Sequence, residues 1–358
     1  MLSGHLSEVP TFVTETRTTT SHYQVQKKRR ADVLAYWKDH QRTIVRASDV
    51  VLYDTPRRTK RGVMVSADGG EPSLVLDANV HEIPPGVVST VHRHSWDAIA
   101  FVTEGSGWTE VNGRRYDWRP WDTIYLPGWA WHRHGNEGDK PARFVTFSVQ
   151  PMVELFGLAL LEDAGDAEYA ELPPRPESSN PGLGSDPYSN RLRRLADAAA
   201  EASESRILTA YDDIAFRVSP RGARSGFLVD RTIGHRTQGL TAVMHQLAPG
   251  LYQSRHRHGG EAWLFGVAGR GYSIIDDERV DWGPGDLVVV DHWAWHQHFN
   301  ASDTEIASLI RVHNFDTLYM AMSALLSPLT LFEEPQQLDA PDLTGVEWPD
   351  PQAGRPDA

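Results

Sequence analysis

P-G-V-V-S-T-V-H-R-H at Pro85–His94, followed by W-A-W-H-R-H-G-N at Trp129–Asn136, decides how the whole chain is read. His92 and His94 are one residue apart. On a strand, side chains two apart share a face, so both imidazoles project into one space. His132 follows an L-P-G turn and brings a third nitrogen from a neighbouring strand. Three imidazoles converging inside a barrel make a facial metal site. A divalent ion that takes six ligands keeps open positions there for substrate or oxygen.

The stretch recurs. His256, His258, His296 and His298 stand 164 residues after His92, His94, His132 and His134. Gly86 and Gly250, Gly105 and Gly269, Asp122 and Asp286, and Asn136 and Asn300 keep the same offset. A two-copy repeat of this length reads as duplicated domains, not as a solenoid of short units.

The 358 residues allow two domains of ordinary size. There is no cysteine, so disulfides and thiolate metal sites are excluded. A net charge of −13 argues against a nucleic-acid partner. No apolar stretch suits a signal sequence or a membrane span, so no membrane partner and a cytoplasmic location are expected.

Outward from the motifs, residues 1–48 read as an N-terminal arm and an amphipathic helix, and 49–162 as a first barrel. Residues 163–205 read as a Pro-rich linker and an Ala-rich helix, and 206–330 as a second barrel closed by a helix at Phe315–Leu326. Residues 331–358 read as an acidic, disordered tail. Met152–Leu161 has helical character and is expected to pack under the first barrel. Asn112-Gly113, with Asp276-Asp277 at the matching place, signals a hairpin turn. Short strands split by Gly and Pro give an all-β fold, two barrels with a few short helices.

The pattern G-x5-H-x-H, then E-G-x-G, then P-G-x-x-x-H resembles the cupin signature, and the chain resembles a bicupin with two double-stranded β-helix barrels. Within that superfamily it most resembles the ring-cleaving dioxygenases of gentisate, 1-hydroxy-2-naphthoate and salicylate. W-x-W-H-x-H-x-N at Trp129–Asn136 and Trp293–Asn300 carries that closer likeness. So do Ala98 and Ala262, where most cupins place a metal-binding Glu. The resemblance implies His92, His94 and His132, and His256, His258 and His296, as ligands of Fe(II). It also implies a small aromatic substrate, dioxygen and a homo-oligomer. The chain departs from those enzymes in two ways. Ala100 and Leu264 stand where they carry an Arg for the substrate carboxylate, and His81 and His245 where they tend to have Gln. A substrate that is larger, more apolar or without the carboxylate is therefore also expected.

His134 and His298 lie two residues beyond the third ligand, on the same strand face, and suit proton exchange with substrate; the alternative is a rim histidine bonded to backbone. His81 and His245 either face the same cavity or are structural. Trp96, Trp131 and Trp295 either stack on an aromatic ligand or belong to the core. Asp97 and Glu261 precede the usual Glu position by one residue, which turns them to the other face. Besides the dioxygenase, two readings stand: a metal-dependent oxygenase or isomerase of a secondary metabolite, and a non-enzymatic bicupin that binds or stores a ligand.

Overall fold

The computed structural model describes residues 24–29, 31–32, 35, 42–66, 73, 75–173, 184–237, 239–258, 261–291, 294–314 and 338–357. Two lobes each pack a wide antiparallel sheet against a narrower one. In the first lobe the wide sheet runs, edge to edge, Leu208–Thr209, Thr123–Leu126, Ala98–Glu104, Ala142–Ser148, Asp77–Ile83, Lys60–Val65 and Tyr53–Asp54. The facing sheet runs Leu161–Asp163, His92–His94, His132–Gly135, Gly107–Val111 and Arg114–Trp118. The second lobe opposes Ile44–Val45, Leu287–Val290, Ala262–Ala268, Ala307–His313, Thr241–Leu247, Arg224–Val229 and Arg217–Val218 to Glu278–Trp282, Gly271–Ile275 and His296–Asn300. The all-β expectation holds. Each barrel is a sandwich of two facing sheets rather than a closed cylinder.

The wide sheets are buried on both faces. One apolar cluster joins the lobes, with Phe147 and Phe265 at 6.5 Å between ring centroids. This explains why Ala98–Val102 and Leu287–Val290 read as unbroken apolar runs instead of alternating. The turns follow local chemistry. Asn112 and Gly113 have φ of 48° and 78°, and Asp276 and Asp277 have 45° and 71°, as a two-residue turn with both φ positive requires.

The lobes also exchange edge strands. Ile44–Val45, which precedes the first lobe, pairs with Leu287–Val288 of the second. Leu208–Thr209, which precedes the second lobe, pairs with Thr123–Ile124 of the first. Two buried carboxyl groups reach across in the same reciprocal way. Asp97 accepts from Thr237 Oγ1 at 3.2 Å, and Glu261 accepts from Ser73 Oγ at 3.2 Å.

Three expectations change. The helix over Gln150–Leu155 is short, because Gly157 with φ of 68° ends it; Met152, Val153 and Ala159 pack against the core as expected, but Leu155, Phe156, Leu158, Leu160 and Leu161 are exposed. The start of the linker belongs to the first lobe. Leu161–Asp163 pairs with His92–His94, and Leu172 packs with Val91 and Trp131. Residues 338–357 lie against the lobes instead of trailing free. The Pro351 carbonyl accepts from the buried Gln246 amide at 2.9 Å and from Tyr211 Oη at 2.7 Å, and Arg355 donates to Pro120 O at 2.8 Å. Buried polar groups that need partners hold this segment where composition alone reads as disorder. The closing helix expected at Phe315–Leu326, residues 1–23 and most of the N-terminal helix lie outside the described residues. No helix among the described residues is long and apolar enough to cross a membrane.

Candidate metal centre

His92 and His94 leave their strand on one side, and His132 faces His92 in the antiparallel pairing. Ring centroids lie 4.2 Å apart for His92–His132, 4.8 Å for His94–His132 and 6.0 Å for His92–His94. His256, His258 and His296 repeat this at 4.2 Å for His256–His296, 4.9 Å for His258–His296 and 6.0 Å for His256–His258. In each trio the ligating nitrogens fall within 4.8 Å of one another. Asp97 and Glu261 belong to neither group, since both point toward the opposite lobe.

Backbone carbonyls set the tautomers. Trp96 O lies 2.7 Å from His94 Nδ1, Ala130 O lies 2.8 Å from His132 Nδ1, and Thr90 O lies 3.4 Å from His92 Nδ1. A carbonyl only accepts, so Nδ1 carries the proton and Nε2 keeps its lone pair for an ion. Burial, reinforced by neighbouring histidines, holds His92 and His94 well below the ordinary histidine range, and burial pushes His132 down to about 4. All three are neutral at pH 7, as ligands must be. With no thiolate in the chain, this donor set fits a divalent transition ion.

His134 is held by a relay that the repeat conceals. Trp118 Nε1 donates to Thr109 Oγ1 at 3.0 Å, and Thr109 Oγ1 lies 2.8 Å from His134 Nδ1. With one lone pair taken by Trp118, the hydroxyl can give its own proton to Nδ1, an arrangement that keeps the imidazole proton on Nε2. Trp282, Ser273 and His298 repeat the relay at 3.1 and 2.8 Å. His81 stacks on Phe144 at 5.3 Å and lines the first cavity; burial, with Arg61 and Arg57 nearby, lowers its pKa to about 3. His245 likewise lines the second cavity, with Ser225 Oγ 2.7 Å from its Nδ1. Trp96 stacks on His94 at 4.6 Å and faces the cavity. Trp131 packs outside, with the Arg93 guanidinium 4.3 Å over its ring. Trp295 likewise carries Arg257 at 4.7 Å.

The two trios differ in the space before them. The first opens on a cavity of about 550 Å³, the second on about 10 Å³, room for roughly one water. Side chains on matching strands account for this. Asn79 pairs with Thr146 in the first lobe, and Val243 pairs with Arg311 in the second. Arg311 thus fills the place of Thr146. Gln253 replaces Ser89, and Leu264 replaces Ala100.

The first cavity holds groups that the motifs do not reveal. Arg57 and Arg61 line it, from a turn and a strand that precede the motif block. Arg57 pairs with Asp163 at 3.1 Å, and Arg61 donates to Asn79 Oδ1 at 3.0 Å. Asp77 also lines it, accepting from Ser148 and Asn79. Burial lifts the Asp77 carboxyl to about 6, against the smaller opposing pull of Ser148 and Arg61. An unfolded Asp ionises near 4, so the folded chain keeps this proton to higher pH. The Asp77 contribution to stability should then fall by up to about 3 kcal/mol as pH rises from about 4 to about 6, and stay level above, while the buried neutral histidines contribute with the opposite sign. The difference in stability between Asp77→Asn and the unmutated chain in urea titrations should therefore change over that window, and a difference that stays constant with pH would count against the protonated carboxyl.

The Cupin domain family matches residues 79–148 and again 243–313. The chain is 25% identical to a 1-hydroxy-2-naphthoate 1,2-dioxygenase of Nocardioides sp. strain KP7, over 75% of this chain and 69% of the relative. It is 27% identical to gentisate 1,2-dioxygenase 1 of Aquipseudomonas alcaligenes, over 71% and 76%. In fold it is similar to the salicylate 1,2-dioxygenase of Pseudoaminobacter salicylatoxidans in its adduct with gentisate. The TM-score is 0.57 and the identity 19%, covering 87% of this chain and 95% of that one.

Proposed function

The chain is a bicupin with one cupin domain in each lobe, and from that premise we propose that it is an Fe(II)-dependent dioxygenase that cleaves the ring of a hydroxylated aromatic acid in its first lobe. The observation that carries this is a neutral three-histidine set opening on a cavity of about 550 Å³ with two arginines in its wall. His92, His94 and His132 would hold the ion. When bound, it supplies the open positions and the one-electron chemistry that bring an aromatic oxygen donor and dioxygen together.

The chain's own residues do the rest. Arg57 and Arg61 offer the guanidinium donors for a carboxylate that Ala100 cannot supply. Trp96, Ala98, Leu126 and Phe144 give the ring apolar walls and keep water from it. The Nε2 proton of His134, held in place through Thr109 and Trp118, is positioned to be given to a developing oxyanion. An apolar cavity of about 150 Å³ takes benzene. The space in the first lobe is several times that, which favours a substrate larger than one ring. The exposed apolar residues at 155–161 support a homo-oligomer, which sedimentation of the purified chain would test.

Anaerobically purified, iron-loaded protein should consume dioxygen and bleach aromatic absorbance with one- or two-ring hydroxy acids, fastest with the latter. Iron-loaded protein that consumes none across such a panel would overturn the ring-cleaving reading and favour the oxygenase or isomerase of a secondary metabolite.

A further inference from the structure

The second trio is built to the same plan as the first but has no room for a substrate. We propose that His256, His258 and His296 hold a second divalent ion as a confined, four-coordinate centre that steadies the fold and takes no part in turnover. Three observations carry this. The ring separations in the two trios agree to 0.1 Å, so the donor geometry survives intact. Ser254 O at 2.8 Å from His256 Nδ1, and Ala294 O at 2.9 Å from His296 Nδ1, again leave Nε2 as the ligating nitrogen. His256 and His296 also exchange both backbone hydrogen bonds, at 3.0 and 2.8 Å, which fixes the separation of two ligands.

The third observation is the residual space. Room for about one water allows one ligand beyond the three imidazoles, so the ion is four-coordinate. That number suits zinc, which is tetrahedral with three imidazoles and a solvent oxygen, better than an ion that takes six. Arg311 lines the same space and fills the room that Thr146 leaves open in the first lobe. The ligands come from two stretches, His256–His258 and the His296–Asn300 strand, so an ion there ties the narrow sheet to the segment that precedes it. The cost of metal loss falls on stability, since the ion binds only the folded chain.

Cobalt(II) is the probe, because four-coordinate cobalt absorbs far more strongly in the visible than six-coordinate cobalt. The His94→Ala chain, loaded with cobalt, should retain one ion with intense bands. Those bands should not move when a hydroxylated aromatic acid is added, chelators should strip the ion slowly, and its removal should lower the melting temperature. The unmutated chain should hold two ions, one released quickly and one slowly, which gives the same answer should His94→Ala fail to fold. His258→Ala should lose the slow, intense component alone. Folded chain that binds one cobalt in all, or a slow component whose bands move with the acid, would overturn the proposal. Two ions in a chain that consumes no dioxygen would leave it standing and remove only the ring-cleavage reading.

Discussion

His94→Ala should lower dioxygen consumption more than about a hundredfold, while His258→Ala keeps most of the rate at temperatures where it stays folded. Loss of even an outer-shell partner of a metal-ligating histidine costs about 10- to 100-fold, and His94 is itself a proposed ligand. Its carbonyl partner, Trp96 O at 2.7 Å, also carries the ring that stacks on it, so the substitution loosens one wall of the cavity as well. The asymmetry follows from space. A trio facing about 550 Å³ can meet an aromatic acid, and one facing about 10 Å³ cannot. Rate measurements normalised to iron in the first lobe check this. Equal loss in the two variants would mean that the lobes share the chemistry.

Replacing Arg57 and Arg61 together with Met should reduce kcat/KM for a hydroxylated aromatic acid by about a thousandfold. A hydrogen bond to a charged group contributes about 1.5–3 kcal/mol, so each arginine carries roughly 10- to 100-fold. Arg61→Lys should recover only part, since a point charge does not reproduce the planar fork. The matching phenol without a carboxylate should lose far less in the double variant. Equal losses for acid and phenol would show that the arginines serve packing or the Asp163 ion pair instead of the carboxylate.

The fold and the ligand trios were legible because each depends on short-range spacing. Two histidines one residue apart on a strand, a turn of two residues with positive φ, and a shared offset need no long-range information. The carboxylate-binding groups were not legible for the opposite reason. Arg61 reaches the cavity only because Lys60–Val65 pairs with Asp77–Ile83, and nothing within the motif block encodes that pairing. Thr109 is hidden likewise, as the strand partner of a histidine far along the chain, and Trp118 reaches it from the next strand, where its own partner is Gly107. The closing of the second lobe escaped because the offset slips by one residue between Asn300 and Ala307, so that Arg311 answers Thr146 and not Phe147. The docking of residues 338–357 turns on single polar contacts at Pro351 and Arg355, which composition does not register.

The crossed edge strands carry a consequence for anyone who would cut the gene in two. A fragment ending before Leu208 lacks the strand that flanks Thr123–Leu126, and one beginning after Val45 lacks the strand beside Leu287–Val290. Each half alone would present an open ladder ready to stick to another molecule. The halves should therefore be insoluble when produced singly and recover when produced side by side, each lending the other its missing border.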